Sequence, residues 1–429
     1  MSNLKPWVTK FFTKLILSKT AKNTYILSFA DISMAILAAI TTAIIARNLS
    51  PGEFGTFLAL WTFLTLISAL LDLGIGAGII AFVADSKSLV EKNKHIGPAL
   101  FFLFLIGLTQ FVLIYLGANL VQNILFPGIK LQLIKLVSLG SWFLIMGRFV
   151  NDALRAKQEF LKSGLATGLF AMMRLIFIIG LIINRSLSLY SSILIMALSP
   201  FVYFIIGYYL LNLPLQYLKW DRQVIRRVMG FSSWLGVNQM VSTISSRVDV
   251  LLLNRLAGAL SAGIYGTAAL MARIFVIITA SMAAVFAPRL IELQEKNQRQ
   301  KFLLKICLVI FVGWLSIILV GLIAKPLITI IFGTKYLSAL TPFYLLLIAM
   351  ASLMVTVPVT LPVIYVLKKP QIIAYLSVVQ LIIVSVGNFI LIPRYGILAP
   401  PILLIITQLI VIIVGGYYTI RWLKSQLNK

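Results

Sequence analysis

The stretch LSPGEFGTFLA at Leu49–Ala59 returns as LSAGIYGTAAL at Leu260–Leu270, an offset of 211 residues. Five of the eleven positions are identical, and Phe54 answers Tyr265. Each copy joins the first and second apolar stretches of its half of the chain. An even number of spans in each half returns the chain to the same side. The halves are therefore read as parallel repeats, related by an axis along the membrane normal.

Around these hairpins the chain is apolar almost throughout. Hydrophobic residues make up 61% of the 429, charged residues only 11%, and the mean hydropathy is +1.04. A soluble core cannot absorb that much apolar surface. Windows long enough to cross hydrocarbon as helix, about 20 residues each, recur along the whole length. Twelve spans are expected, at 24–47, 54–83, 97–119, 131–150, 163–184, 189–212, 231–255, 262–287, 303–324, 339–366, 371–392 and 398–421. The fold class is an all-α polytopic membrane protein. Its expected parts are an amphipathic segment (1–23), an N-lobe of six spans (24–213), a linker (214–230), a C-lobe of six spans (231–422) and a tail (423–429). The linker is marked by the basic, polar run PLQYLKWDRQVIRR at Pro214–Arg227. Two lobes with a cleft between them make the layout of an alternating-access transporter.

The net charge of +26 suggests nucleic acid until its distribution is followed. Placing the amino terminus in the cytoplasm puts about 25 of the 37 basic residues on that side and about 8 on the other. That asymmetry is the positive-inside rule, and it puts both termini in the cytoplasm. No nucleic-acid partner is expected. The first 22 residues carry Lys5, Lys10, Lys14, Lys19 and Lys22 among Trp7, Phe11, Phe12, Leu15 and Ile16. Lysines so spaced break any signal-peptide core; the segment reads as an interfacial helix on anionic headgroups, or as a gate at the cytoplasmic mouth.

Seven charges stand apart from this pattern: Asp31, Asp72, Arg148, Arg174, Arg247, Asp249 and Arg273 all fall in or at the end of spans. A charge in hydrocarbon costs at least about 2.5–3.5 kcal/mol, so each faces the protein interior or a water-filled cavity. Arg174 and Arg273 fall near the middle of the fifth and eighth spans. Arg247 lies in the outer half of the seventh, and Arg148 near the cytoplasmic end of the fourth, followed by Asn151, Asp152 and Arg155. Guanidinium groups stay charged and grip phosphate oxygens in fork geometry. Arg174, Arg273, Arg247 and Arg148 are accordingly the candidate contacts for a large polyanion. Each is equally readable as the partner of an aspartate, and Arg148 is close enough to the interface to snorkel. Asp72, Asp31 and Asp249 divide between ion pairs and a proton- or sodium-coupling site. Asn238, Gln239 and Gln110 are candidate sugar contacts or interhelical glue.

Prolines at 342, 358 and 362, at 400 and 401, and at 200 read as packing kinks or as hinges. Gly74, Gly76 and Gly78 read as close-packing positions. His95 is a loop residue and Cys307 a small apolar one. No metal-ligand spacing, nucleophile–base set or phosphate loop is present, so neither an enzyme nor a bound cofactor or metal is expected.

The first hairpin, ARNLSPGEFGTFLAL at Ala46–Leu60 with LLDLGIGAGIIAFVA at Leu70–Ala84, resembles the opening of Wzx-type oligosaccharide flippases. SRVDVLLLNRLAGALSAGIYGTAALMARI at Ser246–Ile274 resembles their seventh–eighth hairpin. These polysaccharide biosynthesis export proteins belong to the MATE/MOP superfamily, with two six-helix lobes. The resemblance implies an inner-membrane protein of bacteria or archaea with a cationic inter-lobe cavity. That cavity would take the pyrophosphate and sugars of an undecaprenyl-linked repeat unit, with Arg174, Arg247 and Arg273 the contacts by position. A polysaccharide polymerase and chain-length machinery are implied partners beside membrane lipids. Twelve spans depart from the fourteen of the peptidoglycan-precursor flippases. The alternatives are a MATE-like drug or organic-cation antiporter, which would want an acidic or aromatic cavity, and a membrane-embedded glycosyltransferase or polymerase, which would want long outer loops. A non-transporting scaffold is a further alternative, against which the intramembrane charges stand.

Overall fold

The computed structural model describes residues 19–86, 88–293 and 296–425; the side chains of 19–28, 84, 85, 233–235, 238, 297, 424 and 425 are outside that description. Among the described residues every regular element is helical, which is what hydrocarbon demands of a backbone with no water to bond. The expected amphipathic segment lies outside the described residues up to Lys19, where the first helix opens, and most of the expected tail lies outside them too.

The first half comprises α1 (Lys19–Asn48), α2 (Pro51–Leu71), α3 (Ile75–Asp85), α4 (Leu89–Leu116), α5 (Ala118–Leu125), α6 (Leu131–Ala156), α7 (Phe160–Ile183) and α8 (Leu189–Leu211). The second comprises α9 (Arg222–Ser245), α10 (Val248–Leu256), α11 (Gly258–Glu292), α12 (Lys296–Leu322), α13 (Ala324–Ile331), α14 (Leu340–Leu361), α15 (Pro370–Tyr395) and α16 (Ala399–Ser425). Ten segments among the described residues are long and apolar enough to cross a membrane. The last of them, Pro370–Leu423, contains α15 and α16, which meet at Gly396.

Two expectations are corrected. The second span, expected unbroken over 54–83, is two helices. Asp72 and Gly74 interrupt it, with Leu73 at φ 52° and Gly74 at φ 75° in the left-handed region. The seventh, expected over 231–255, breaks at Ser246–Arg247 into α9 and α10. Hydroxyl-rich VSTISS competes with the helix for backbone bonds there. The polar linker 214–230 is mostly structured: Asp221 caps α9, accepting from Gln223 and Val224 N–H at 3.0 and 3.1 Å.

The hairpin motif folds for local reasons. Ser50 and Glu53 form a capping box: Ser50 N–H and Oγ donate to Glu53 Oε2 at 2.9 and 2.7 Å, and Glu53 N–H returns a bond to Ser50 Oγ at 3.3 Å. Pro51 sits at the first helical position, where its missing N–H costs nothing. Pro342, Pro400 and Pro401 likewise lie in first turns, whereas Pro200 and Pro358 lie inside helices and Pro362 opens a π-helical turn to Val366.

Contacts divide the chain into two compact units. Unit 1 is Met1–Ile45, Phe63–Asn123 and Gly128–Met240; unit 2 is Ala46–Thr62, Ile124–Pro127 and Val241–Lys429. This division differs from the expected lobes. The 214–230 segment falls inside unit 1, and the first half of α2 counts with unit 2. Glycines explain both. In unit 1, a methyl built on Gly74 would lie 2.7 Å from the backbone of Ser232 and Gly236, so α9 packs directly on the α2–α3 break. In unit 2, one built on Gly55 would lie 1.7 Å from the Ala259 carbonyl, and one on Gly263 2.1 Å from that of Pro51. The two copies of the repeat therefore cross backbone to backbone, as small residues permit.

In unit 1, α6 packs against α3, α4, α7 and α8. Its polar positions bond within the bundle: Ser141 Oγ donates to Gln110 Oε1 at 3.0 Å, and Ser68 Oγ to the Ser141 carbonyl at 3.1 Å. In unit 2, α14 packs against α11, α12 and α16. There Lys335 Nζ donates to the Arg47 carbonyl at 2.8 Å and to that of Leu49, and Tyr336 Oη to that of Ala46 at 3.0 Å. A cation and a hydroxyl thus satisfy the open carbonyls at the end of α1.

Candidate functional site

Unit 1 gathers most of the intramembrane charge around α6. Arg148, Asp152 and Arg155 are spaced i, i+4, i+7 on that helix, so they share a face. Arg155 pairs with Asp31 of α1 at 2.8 Å. The pair is partly exposed, 27% at the arginine and 47% at the aspartate. Arg155 Nε also donates to Ser163 Oγ at 3.2 Å, and Ser163 Oγ to Asn151 Oδ1 at 2.8 Å. One polar chain therefore ties α1, α6 and α7 together.

Asp72 stands in the α2–α3 break. Its carboxylate lies beside the first turn of α3, where the positive end of the helix favours a negative charge. The absence of a side chain at Gly76 makes room for a second carboxylate. A methyl built there would lie 2.3 Å from Asp152 Oδ2 and 3.5 Å from Asp72 Oδ1. Two carboxylates thus border one space, and the charge of Arg148 acts on both. Like charges that share a site hold a proton or cation between them in preference to ionising together.

Tyr203 of α8 closes this cluster. Its ring lies against Gly147, where a methyl would come 2.4 Å from Cδ1. It stacks on Phe170 with centroids 4.6 Å apart. On the Phe170 ring, at 5.2 Å, lies the guanidinium of Arg174, whose residue is 5% exposed. Aromatic faces are the usual companions of a guanidinium in a dry site.

Unit 2 holds the rest. Arg247 stands at the α9–α10 break, and its charge acts on Asp249. Asp249 accepts the Tyr265 hydroxyl and the Val250 N–H, the latter at 2.8 Å. Arg273 sits mid-way along α11, exposed, and takes part in none of the ion pairs among the described residues.

The candidates thus fall into three environments. Asp72, Asp31 and Arg148 meet in one cluster, with Arg174 joined to it through Phe170 and Tyr203. Arg247 and Asp249 form a second group, and Arg273 stands alone on its helix face. Gln110 is buried and bonded between helices, its Nε2 donating to the Ser138 carbonyl at 3.5 Å; Gln239 is exposed. The side chain of Asn238 lies outside the described residues. Asp152, Tyr203 and Gly76 were not among the candidates. The spacing of Arg148, Asp152 and Arg155 was the available signal for the first; Gly76 was read only as a close-packing position, and nothing local singles out the tyrosine.

A multi-pass helical membrane protein is the class these elements define. Solved structures agree on the fold. An inward-facing multidrug resistance MATE family transporter of the MOP superfamily matches with a TM-score of 0.69 at 14% identity, over 92% of this chain and 96% of that one. The lipid II flippase MurJ in an inward closed conformation matches with a TM-score of 0.65 at 14% identity, over 93% and 87%. The chain belongs to the family described as "Polysaccharide biosynthesis protein", whose profile covers residues 44–341. Among relatives, the capsular polysaccharide biosynthesis protein CapF of Staphylococcus aureus is 25% identical over 195 residues, 44% of this chain and 47% of that protein. The chain thus matches about half the length of that relative. A Shigella flexneri protein named "Putative O-antigen transporter" is 22% identical over 314 residues, 68% of this chain and 72% of its own. The resemblance to Wzx-type flippases of the MATE/MOP superfamily stands on these matches.

Proposed function

We propose that this protein flips undecaprenyl-pyrophosphate-linked oligosaccharide repeat units from the cytoplasmic to the outer leaflet of a bacterial or archaeal plasma membrane, by alternating access, for surface polysaccharide assembly. The supporting observation is a set of guanidiniums inside the spans of a chain of the polysaccharide biosynthesis family. Arg174 is buried on an aromatic ring, and Arg273 is exposed mid-helix. Both suit a pyrophosphate that must cross hydrocarbon. Arg148 and Arg247, each within the field of an aspartate, are in this reading braces first and ligand contacts second.

The energetics favour the direction. Moving an anion outward across an inside-negative potential is downhill by about 2.3 kcal/mol per charge per 100 mV. The protein's main task is then to lower the desolvation barrier. In the same reading the Asp72–Asp152 pair takes a proton or sodium ion that resets the transporter, Asp31 is its brace, Asp249 is a structural acceptor, and no resident cofactor or metal takes part. Both termini face the cytoplasm, and a polysaccharide polymerase with its chain-length machinery receives the product. The chain transports and does not catalyse bond chemistry.

A deletion strain tests this. Lipid-linked oligosaccharide should accumulate on the cytoplasmic leaflet and surface glycan should fall. Normal surface glycan with altered resistance to organic cations would overturn the reading in favour of a drug antiporter.

A further inference from the structure

The first half of the chain enters unit 2 at two places, Ala46–Thr62 and Ile124–Pro127, each flanked on both sides by segments of unit 1. Helix α1 leaves unit 1 at Ile45 and ends inside unit 2, and α2 returns to unit 1 at Phe63. In the positive-inside topology both places lie on the outer side. So does the short helical turn Thr334–Ala339, which receives the first of them.

The clasp on that first segment has few parts. Tyr336 is fully buried; its hydroxyl donates to the Ala46 carbonyl at 3.0 Å, and its ring meets Phe54 edge-on at 5.8 Å. Beside it Lys335, which is exposed, donates to the Arg47 carbonyl at 2.8 Å and to that of Leu49. The Lys335–Arg47 bond joins residues 288 apart, so it is not the local cap that ends most helices. Behind it, Gly55 and Gly263 let α2 cross α11 backbone to backbone. The second segment is held in a similar way: Phe126 is fully buried, and Asn254 of α10 donates to the Leu125 carbonyl at 3.3 Å.

The clasp is dry at Tyr336 and wet at Lys335. An ammonium is strongly hydrated, so water can take the place of the carbonyls as Lys335 leaves them. The carbonyls at the end of a helix accept water as readily. These bonds can therefore break and re-form without stranding a charge. We propose that Lys335 is the bolt of an outer gate. Its bonds to the end of α1 and the α2–α11 crossing behind it break together each time the transporter opens outward, and re-form when it opens to the cytoplasm. The proposal rests on the transport reading above and adds the contact that transport has to break. Lys335 is a positioning residue here: it holds the hairpin and leaves the glycolipid to other groups.

The test uses the full-length protein in intact cells, with Cys307→Ser removing the exposed native thiol and a membrane-impermeant maleimide added outside. Ala46→Cys and Ala59→Cys supply the reporters, both at fully buried positions. Ala59 follows Gly55 by one turn on the face toward α11. Lys335→Met should speed labelling at both by at least about tenfold, as loss of charge-assisted bonds does. Lys335→Arg, which still donates, should keep both slow. If Lys335→Met does not fold, Tyr336→Phe, which loses one hydroxyl, should speed both by about fivefold. Ala118→Cys, buried at the outer side of unit 1, should stay slow throughout. A rise at Ala46→Cys alone would reduce Lys335 to a cap on α1, and unchanged rates at both would remove the bolt. An equal rise at Ala118→Cys would mean general loosening. Each of these overturns the proposal and leaves the flippase reading standing. The expected labelling in a protein that carries no glycan across liposomes would keep the gate and overturn the flippase reading.

Discussion

A single hydrogen atom at Gly76 lets two carboxylates approach the start of α3. Gly76→Ala would place a methyl 2.3 Å from Asp152 Oδ2. That oxygen ends a side chain that can turn, so the fold should survive at a cost of about 1–3 kcal/mol while the Asp72–Asp152 geometry is lost. Transport should drop far more than the yield of folded protein; equal losses would mean the position is merely structural. Gly180→Ala in α7, with nothing within 4 Å, is the neutral control. The Asp31–Arg155 pair calls for a smaller expectation. It is partly exposed, so its own coupling in a double-mutant cycle should be within about 0–1 kcal/mol. Arg155→Ala should lower the melting temperature more than Asp31→Asn, because Arg155 also holds Ser163; the reverse order would contradict that network. At this scale the sequence exposed the charges and hid their partners. Asp31 and Arg155 are 124 residues apart, and no spacing rule links them. The three-residue rhythm of Arg148, Asp152 and Arg155 was legible, because helical period alone puts them on one face.

Among the elements, the repeated motif carries the sharpest lesson. The copies do not repeat a cap: Ser50 begins α2 with a capping box, whereas Ser261 lies inside α11, which starts earlier at Gly258 with φ +86°. What makes the crossing of α2 with α11 is one glycine from each copy at non-equivalent positions, Gly55 against Gly263. Gly55→Ala would drive a methyl to 1.7 Å from a backbone carbonyl, and backbone cannot turn aside. We expect a loss of about 3 kcal/mol or more, seen as failure to recover folded protein. Gly52→Ala, with nothing within 4 Å, should be recovered normally. Equal recovery of both would refute the crossing. Element existence was readable because apolar windows of span length leave few alternatives. The breaks at Leu73–Gly74 and Ser246–Arg247 were not, since each lies inside an otherwise apolar run. They are fixed by a left-handed turn at Leu73–Gly74 and by hydroxyl competition at VSTISS, effects of one or two residues.

At the level of the whole molecule, composition and the recurring apolar windows suffice for a multi-pass membrane protein, and the profile over 44–341 makes it a member of the polysaccharide biosynthesis protein family. The compact units show why the boundary was harder. Sequence polarity marks 214–230, but glycine contacts at Gly236 and Gly55 assign the flanking helices by packing, which polarity does not encode. Transport of a lipid-linked glycan is the central claim, and one measurement addresses it directly. The purified protein is placed in sealed liposomes carrying an undecaprenyl-pyrophosphate-linked oligosaccharide, and the fraction of glycan reached by an external lectin is followed in time. The wild type should equilibrate the glycan between leaflets much faster than protein-free liposomes, and Arg273→Ala should return the rate toward that baseline. A wild-type rate equal to that of empty liposomes would contradict the account.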